Sequence, residues 1–174
     1  ADPELTYSSS GLIGGDALSG SMTRAPGNAV GTYAIGQGTL TGGGNYTISS
    51  FTGANLTITA KSIQLTVSDQ YITYGDANPI NSFSITDGSL NAGDSISSLT
   101  YTYSTSQFDA GQYTISGATP VFSSGSAANY VIDIVSGTLN IERRSITLSA
   151  VDKSKTYGSA DPAFTYTVSS GSLK

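Results

Sequence analysis

Residues 61–76 read KSIQLTVSDQYITYGD, and residues 144–159 read RSITLSAVDKSKTYGS. Ile63 falls on Ile146, Tyr74 on Tyr157 and Gly75 on Gly158, each pair 83 positions apart. Inside each copy apolar and polar residues alternate. Ile63, Leu65 and Val67 point one way, while Ser62, Gln64, Thr66 and Ser68 point the other. Ile146, Leu148 and Ala150 repeat the pattern. A two-residue period marks a strand with one face on a core and the other in water. The same strand and the same glycine turn, met twice at a fixed distance, make the chain a repeat of β units.

Further matches lie on either side. Leu56 and Leu139 keep the offset of 83, Gly15-Asp16 answers Gly93-Asp94 at 78, GTYAI (31–35) answers GQYTI (111–115) at 80, and Asn45-Tyr46 answers Asn129-Tyr130 at 84. Loops absorb such drift, because they tolerate length changes better than strands do. The opening ADPELTY (1–7) matches ADPAFTY (160–166). The phase therefore predicts residues 1–60 as an incomplete unit lacking its first strand, and residues 61–142 as a complete one. Residues 143–174 are expected to be the opening strands of a third, placed to complete the 1–60 unit of a neighbouring copy. An incomplete sheet presents an edge that templates strand addition, so neighbouring repeats or copies of the chain itself are the expected partners.

Tyr130, Ile132 and Ile134 alternate with Val131 and Asp133, as do Leu18, Gly20 and Met22 with Ser19, Ser21 and Thr23. Turn residues such as Gly14-Gly15-Asp16, Gly75-Asp76, Asp87-Gly88 and Asp109-Ala110-Gly111 cut the chain at short intervals. About six to eight short strands per unit suit an all-β, immunoglobulin-like antiparallel sandwich, repeated in tandem. No segment carries a sustained 3.6-residue apolar period, so helix content is expected near zero.

Composition narrows the function classes. Of the 174 residues only 11% are charged, against roughly 25% in an average globular domain. Ser, Thr, Gly, Asn and Tyr take the solvent-facing places, which points to an extracellular protein. The net charge is −5, with seven basic residues thinly spread. Nucleic acid and anionic lipid need a concentrated positive footprint, so neither is an expected partner. No apolar run approaches the ~20 residues of a membrane helix, and no direct membrane insertion is expected.

Cysteine and histidine are both absent, which removes the commonest ligands of zinc, copper and iron. Oxygen-ligated calcium remains, with Asp69, Asp76 and Asn78 as the candidate ligands; no other cofactor is expected. The competing reading is a plain turn, in which Gly75 permits the bend, Asp76 caps it and Pro79 forces extension. The terminal Glu of an EF-hand loop is missing. Without His, a serine nucleophile would need Lys61, Lys153, Lys155 or Lys174 as its base, and none sits in a Ser-x-x-Lys arrangement on a helix. Glu4 and Glu142 are the only glutamates and the aspartates fall in turns, so paired-carboxylate chemistry is equally unsupported. The chain is read as no enzyme. Tyr33, Tyr46, Tyr113 and Tyr130 suit a sugar-stacking platform or, as repeat-equivalent positions, core and corner tyrosines.

TYGDANP (73–79) and KTYGSADP (155–162) resemble the Tyr-Gly-Asp-x-(Asp/Asn)-Pro signature of MBG/YDG-type repeats, which occur in tandem in large bacterial surface adhesins and filamentous haemagglutinin-like proteins. GSL (88–90) with Gly93-Asp94, SGSMTR (19–24), GTYAI (31–35), NYTI (45–48) and LTIT (56–59) extend the resemblance along the chain. The central unit departs from it, with SISSLT (95–100) in place of the SGSMTR strand. The repeat-signature positions are Tyr74, Gly75, Asp76, Pro79, Gly93, Asp94, Tyr113, Asn129, Tyr130, Tyr157, Gly158 and Pro162, all expected to be structural. The resemblance implies an immunoglobulin-like stalk or display module of a secreted bacterial adhesin, filament or biofilm protein at the cell surface. Its partners would be neighbouring repeats and a host or environmental glycan or protein. The alternative is a carbohydrate-binding module that uses exposed Tyr and Asn/Asp side chains.

Overall fold

The alternation seen in residues 61–76 sets the strand framework in a computed structural model that describes residues 2–104, 106 and 109–172. The chain divides into two compact units, Ala1–Lys61 with Ser126–Val131 and Ser62–Gly125 with Ile132–Lys174. In the first, β1 (Thr23–Arg24), β2 (Gly31–Gly36) and β3 (Ala54–Ile58) form an antiparallel sheet in that order. Tyr33 faces Leu56 across the β2–β3 pair.

The central repeat supplies β4 (Lys61–Val67), β5 (Gln70–Thr73), β6 (Phe83–Asp87), β7 (Ser95–Tyr103), β8 (Gly111–Ser124), β9 (Tyr130–Val135) and β10 (Gly137–Glu142). They make two sheets, β5-β10-β8-β7 and β6-β4-β9. Val67 from one sheet and Ile115, Leu139 and Ile141 from the other form a single buried cluster, with Ile72, Tyr101, Tyr113 and Ile134 packed against it. Two sheets sharing one core are a sandwich. Ile63, Leu65 and Val67 are the buried residues of β4, and Leu139 and Ile141 are buried in β10, so the alternation does place one face inward. The single helical turn among the described residues is the 3-10 segment Ala127–Asn129, capped by Ser126. No helix among them is long and apolar enough to cross a membrane.

The sheets are not purely antiparallel, which corrects the expectation in detail. β5 and β10 run parallel, with Gln70 opposite Leu139 and Thr73 opposite Glu142. Only Ser68 and Asp69 separate β4 from β5, so the chain passes from one sheet to the other within two residues. Asp69 Oδ1 accepts the Thr138 N–H at 2.7 Å and fixes that crossing beside the start of β10. A Cβ on Gly137 would lie 2.7 Å from the Val67 carbonyl oxygen, so the crossing requires glycine there. Parallel strands need a long return path, and the rest of the repeat provides it.

β11 (Thr147–Ala150) and β12 (Tyr166–Ser170) close the described chain as an antiparallel pair. Leu148 faces Val168 as Leu65 faces Ile85, and Ala150 faces Tyr166 as Val67 faces Phe83. The bulge between Thr147 and Leu148 falls where β4 has its own, between Gln64 and Leu65. The hairpin reproduces β4–β6 residue for residue, 83 positions on.

Candidate functional site: the signature turn and the tyrosine ties

The Tyr-Gly-Asp turn follows β5. Tyr74 donates its N–H to the Glu142 carbonyl at 2.8 Å, and its side chain packs on the core. Gly75 adopts φ 82°, a left-handed conformation costly for any residue with a Cβ. Asp76 donates its N–H to Thr73 O at 2.9 Å and accepts the Thr73 N–H through Oδ2 at 3.3 Å. A clasp from further along the chain then closes the turn. Arg144 Nε donates to the Tyr74 carbonyl at 2.7 Å, and its other guanidinium arm pairs with Asp76 Oδ1. Repeat matching had not singled out Arg144. The available signal was a basic residue at the same place in two units, Lys61 and Arg144. Asn78 is exposed and Pro79 half-buried.

This geometry separates the calcium candidates. Asp69 and Asp76 lie at opposite ends of the four-residue β5, a span of roughly 13 Å at ~3.3 Å per residue. One carboxylate holds Thr138 and the other holds Thr73 and Arg144. Among the described residues no three His, Cys, Asp or Glu side chains converge.

The next turn has the same local bend. Gly158 has φ 86°, Ser159 donates its N–H to Thr156 O at 3.1 Å, and Lys155 pairs with Asp161. Tyr157 is fully exposed there, and Pro162 is half-buried. The local bend is thus written into the turn residues, whereas docking of the tyrosine depends on surrounding strands.

The repeat-equivalent tyrosines act as ties and core pieces. Tyr33 donates its hydroxyl to Ala29 O at 2.8 Å, and the Arg24 guanidinium lies 5.2 Å from its ring centroid. Arg24 also binds Gly27 O at 2.7 Å and Asp2 Oδ2 at 2.6 Å, and that hydrogen bond holds the Asp2 carboxyl below its usual pKa. Tyr46 donates to Asp16 Oδ2 at 2.6 Å and accepts the Ile13 N–H at 3.1 Å, pinning the Gly15-Asp16 turn. The matching turn at Gly93 and Asp94 closes through Asp94 N–H to Asn91 O at 3.0 Å. Tyr113 packs on the core, Tyr130 is buried, and Asn129 Oδ1 accepts the Val30 N–H at 3.0 Å. The exposed tyrosines are others: Tyr7, Tyr71, Tyr157 and Tyr166.

The first unit contains a second feature. β1, β2 and β3 correspond to β7, β8 and β10: Arg24 faces Ile35 as Tyr103 faces Ile115. By the same matching, residues 7–11 stand for β6 and residues 46–51 for β9. Neither segment is a strand. In the central repeat β4 lies between β6 and β9 and gives both their ladders. In the first unit, residues 7–10 and 46–51 line a cleft of ≈ 250 Å³, whose apolar lining includes Leu12, Leu18, Leu40, Ile48 and Phe51.

Such a chain is a tandem array of β repeats, the central one a two-sheet sandwich, with Tyr-Gly turns at residues 74–75 and 157–158. The family model of the MBG domain (YGX type) matches residues 1–57, 63–140 and 146–173, and the chain belongs to that family. No curated protein and no solved structure shows a significant match.

Proposed function

We propose that the chain is a non-catalytic, load-bearing spacer of a secreted bacterial surface protein, with its repeats serving as stalk or display modules. The parallel pairing of β5 with β10 carries this reading. These strands come near the beginning and at the end of the repeat. Tension along the chain draws β5 toward its start and β10 toward its finish, sliding two parallel neighbours past each other. Their hydrogen bonds then share the load instead of opening singly. The low charge, the abundance of Ser and Thr and the MBG repeats fit a module that extends outside the cell.

Single-molecule pulling of the full chain tests the proposal. The central repeat, matched over residues 63–140, should give one rupture that lengthens the tether by about 250 Å, from ~3.3–3.6 Å per extended residue. That rupture should need clearly more force than the opening of the β11–β12 hairpin in the same trace. Rupture of both at similar force would count against a load-bearing role. The alternative of glycan recognition through Tyr71 or Tyr166 predicts retention on a glycan array, and the spacer reading predicts none.

A further inference from the structure

We propose that the Asp87–Gly88 pair in the central repeat is a site of spontaneous covalent modification, where the aspartate isomerises to isoaspartate and loosens β6. The inference stands apart from the spacer role, because it needs only the chemistry of one turn. Asp87 ends β6 and faces Gln64 of β4. It is the single aspartate followed by glycine in the sequence, and no asparagine is followed by glycine. Asp87 and Gly88 are both exposed. Among the described residues the Asp87 side chain has no hydrogen-bond or ion-pair partner.

The fold fixes the glycine and leaves the residue before it open. Gly88 has φ 71°, and a Cβ there would lie 2.5 Å from the Ser62 carbonyl oxygen. Gly171 repeats the arrangement, with φ 83° and the Ser145 carbonyl oxygen 2.7 Å from its would-be Cβ. Gly11 has φ 86° at the matching place in the first unit. Ser10 and Ser170 stand in front of those two glycines, so the central unit alone sets a carboxyl beside a glycine amide. The Gly88 nitrogen, with no Cβ to shield it, attacks the Asp87 side-chain carboxyl carbon. An N–C bond forms, the amide proton and the carboxyl hydroxyl leave as water, and a five-membered succinimide results. Water then opens the ring. Attack at the side-chain carbonyl restores aspartate, whereas attack at the α-carbonyl leaves the main chain running through the side-chain carbon, as isoaspartate. The water lost is regained, and no other reactant is needed.

Isoaspartate lengthens the backbone by one methylene. β6 can then no longer hold residue 87 opposite Gln64 and Gly88 against Ser62 together. β6 is the outer strand of the β6-β4-β9 sheet, so it has a single ladder to lose. Strand ends of this kind open locally at small cost. Next inward are the Thr66–Thr86 hydroxyl contact at 2.8 Å and the bond from Thr86 Oγ1 to Gln64 Oε1 at 3.1 Å. The modification therefore works from the Asp87 end of β6 toward Phe83, while the β5-β10-β8-β7 sheet keeps its ladders.

Ageing the full chain for weeks in warm neutral buffer tests the proposal. Peptide mapping with electron-transfer fragmentation, which tells isoaspartate from aspartate, should find isoaspartate at residue 87 in several-fold excess over any other aspartate. Its rate of formation should lie within about tenfold of that in the urea-unfolded chain, as expected where local opening is cheap. Asp87→Ser, which restores the residue of the other two units, should fold and show none. Hydrogen exchange at the β6 amides should quicken in the aged wild-type chain and not in the aged Asp87→Ser chain, with β8 and β10 unchanged in both. Isoaspartate that forms at residue 87 only in urea would overturn the proposal, because the fold would then protect the site. Isoaspartate spread evenly over the aspartates would overturn it too, as would β6 exchange that stays the same after residue 87 has isomerised.

Discussion

Leu65 and Leu148 hold the same place in the repeat, and their strands carry the same bulge and the same cross-strand partner positions. Leu65 is 0% exposed and Leu148 is 53% exposed. Identical local chemistry therefore has different energetic weight according to what lies above it. Leu65→Ala opens a cavity and should cost about 2–5 kcal/mol of stability in the central repeat. Leu148→Ala should stay within about 0.5 kcal/mol when measured in dilute solution. Urea titrations of the two variants followed by tyrosine fluorescence check the contrast. Tyr74 and Tyr157 show the same rule: one is packed on the core under the Arg144 clasp, the other stands in water.

At the scale of the element, β4, β9 and the Tyr-Gly turns were legible from alternation and glycine placement, because both are local. The parallel β5–β10 pair was not, since nothing in Gln70–Thr73 distinguishes a parallel neighbour from an antiparallel one. Of the candidate site, the Tyr-Gly turn was foreseeable from its recurrence 83 residues on. Arg144 was not, because its partners lie 68 and 70 residues away.

Two substitutions probe these elements. Gly117 in β8 has Leu99, Ile134 and Val67 side-chain atoms 2.7–3.1 Å from where a Cβ would sit. Gly117→Val should overpack the sandwich and cost about 1–3 kcal/mol, read as a lower denaturant midpoint. Asp76→Ala removes the charge that Arg144 grips. The pair is largely solvent-facing, so global stability should fall by no more than about 1 kcal/mol. Hydrogen exchange at the Tyr74–Asp76 amides should nevertheless quicken while β8 and β10 amides keep their protection.

For the whole molecule, the absence of histidine and cysteine leaves few side chains that titrate near neutrality. Tyr101 is the core group whose ionisation matters, because burial raises its phenol above the usual value. The unfolded tyrosine ionises near 10. The stabilisation is therefore fully present below about pH 10 and disappears as pH climbs through the higher folded value. Melting temperature should be level from about pH 6 to 9 and drop beyond pH 10, and Tyr101→Phe should soften the drop.

The guanidinium of Arg144 belongs, by sequence, to the opening of the unit that follows, yet it locks the turn of the unit before. The central module is thus left unlatched until its successor's first residues have emerged. A chain delivered through a pore from its amino end would acquire that latch one step late, and shortening the gene at residue 142 would remove it while leaving every strand of the sandwich in place.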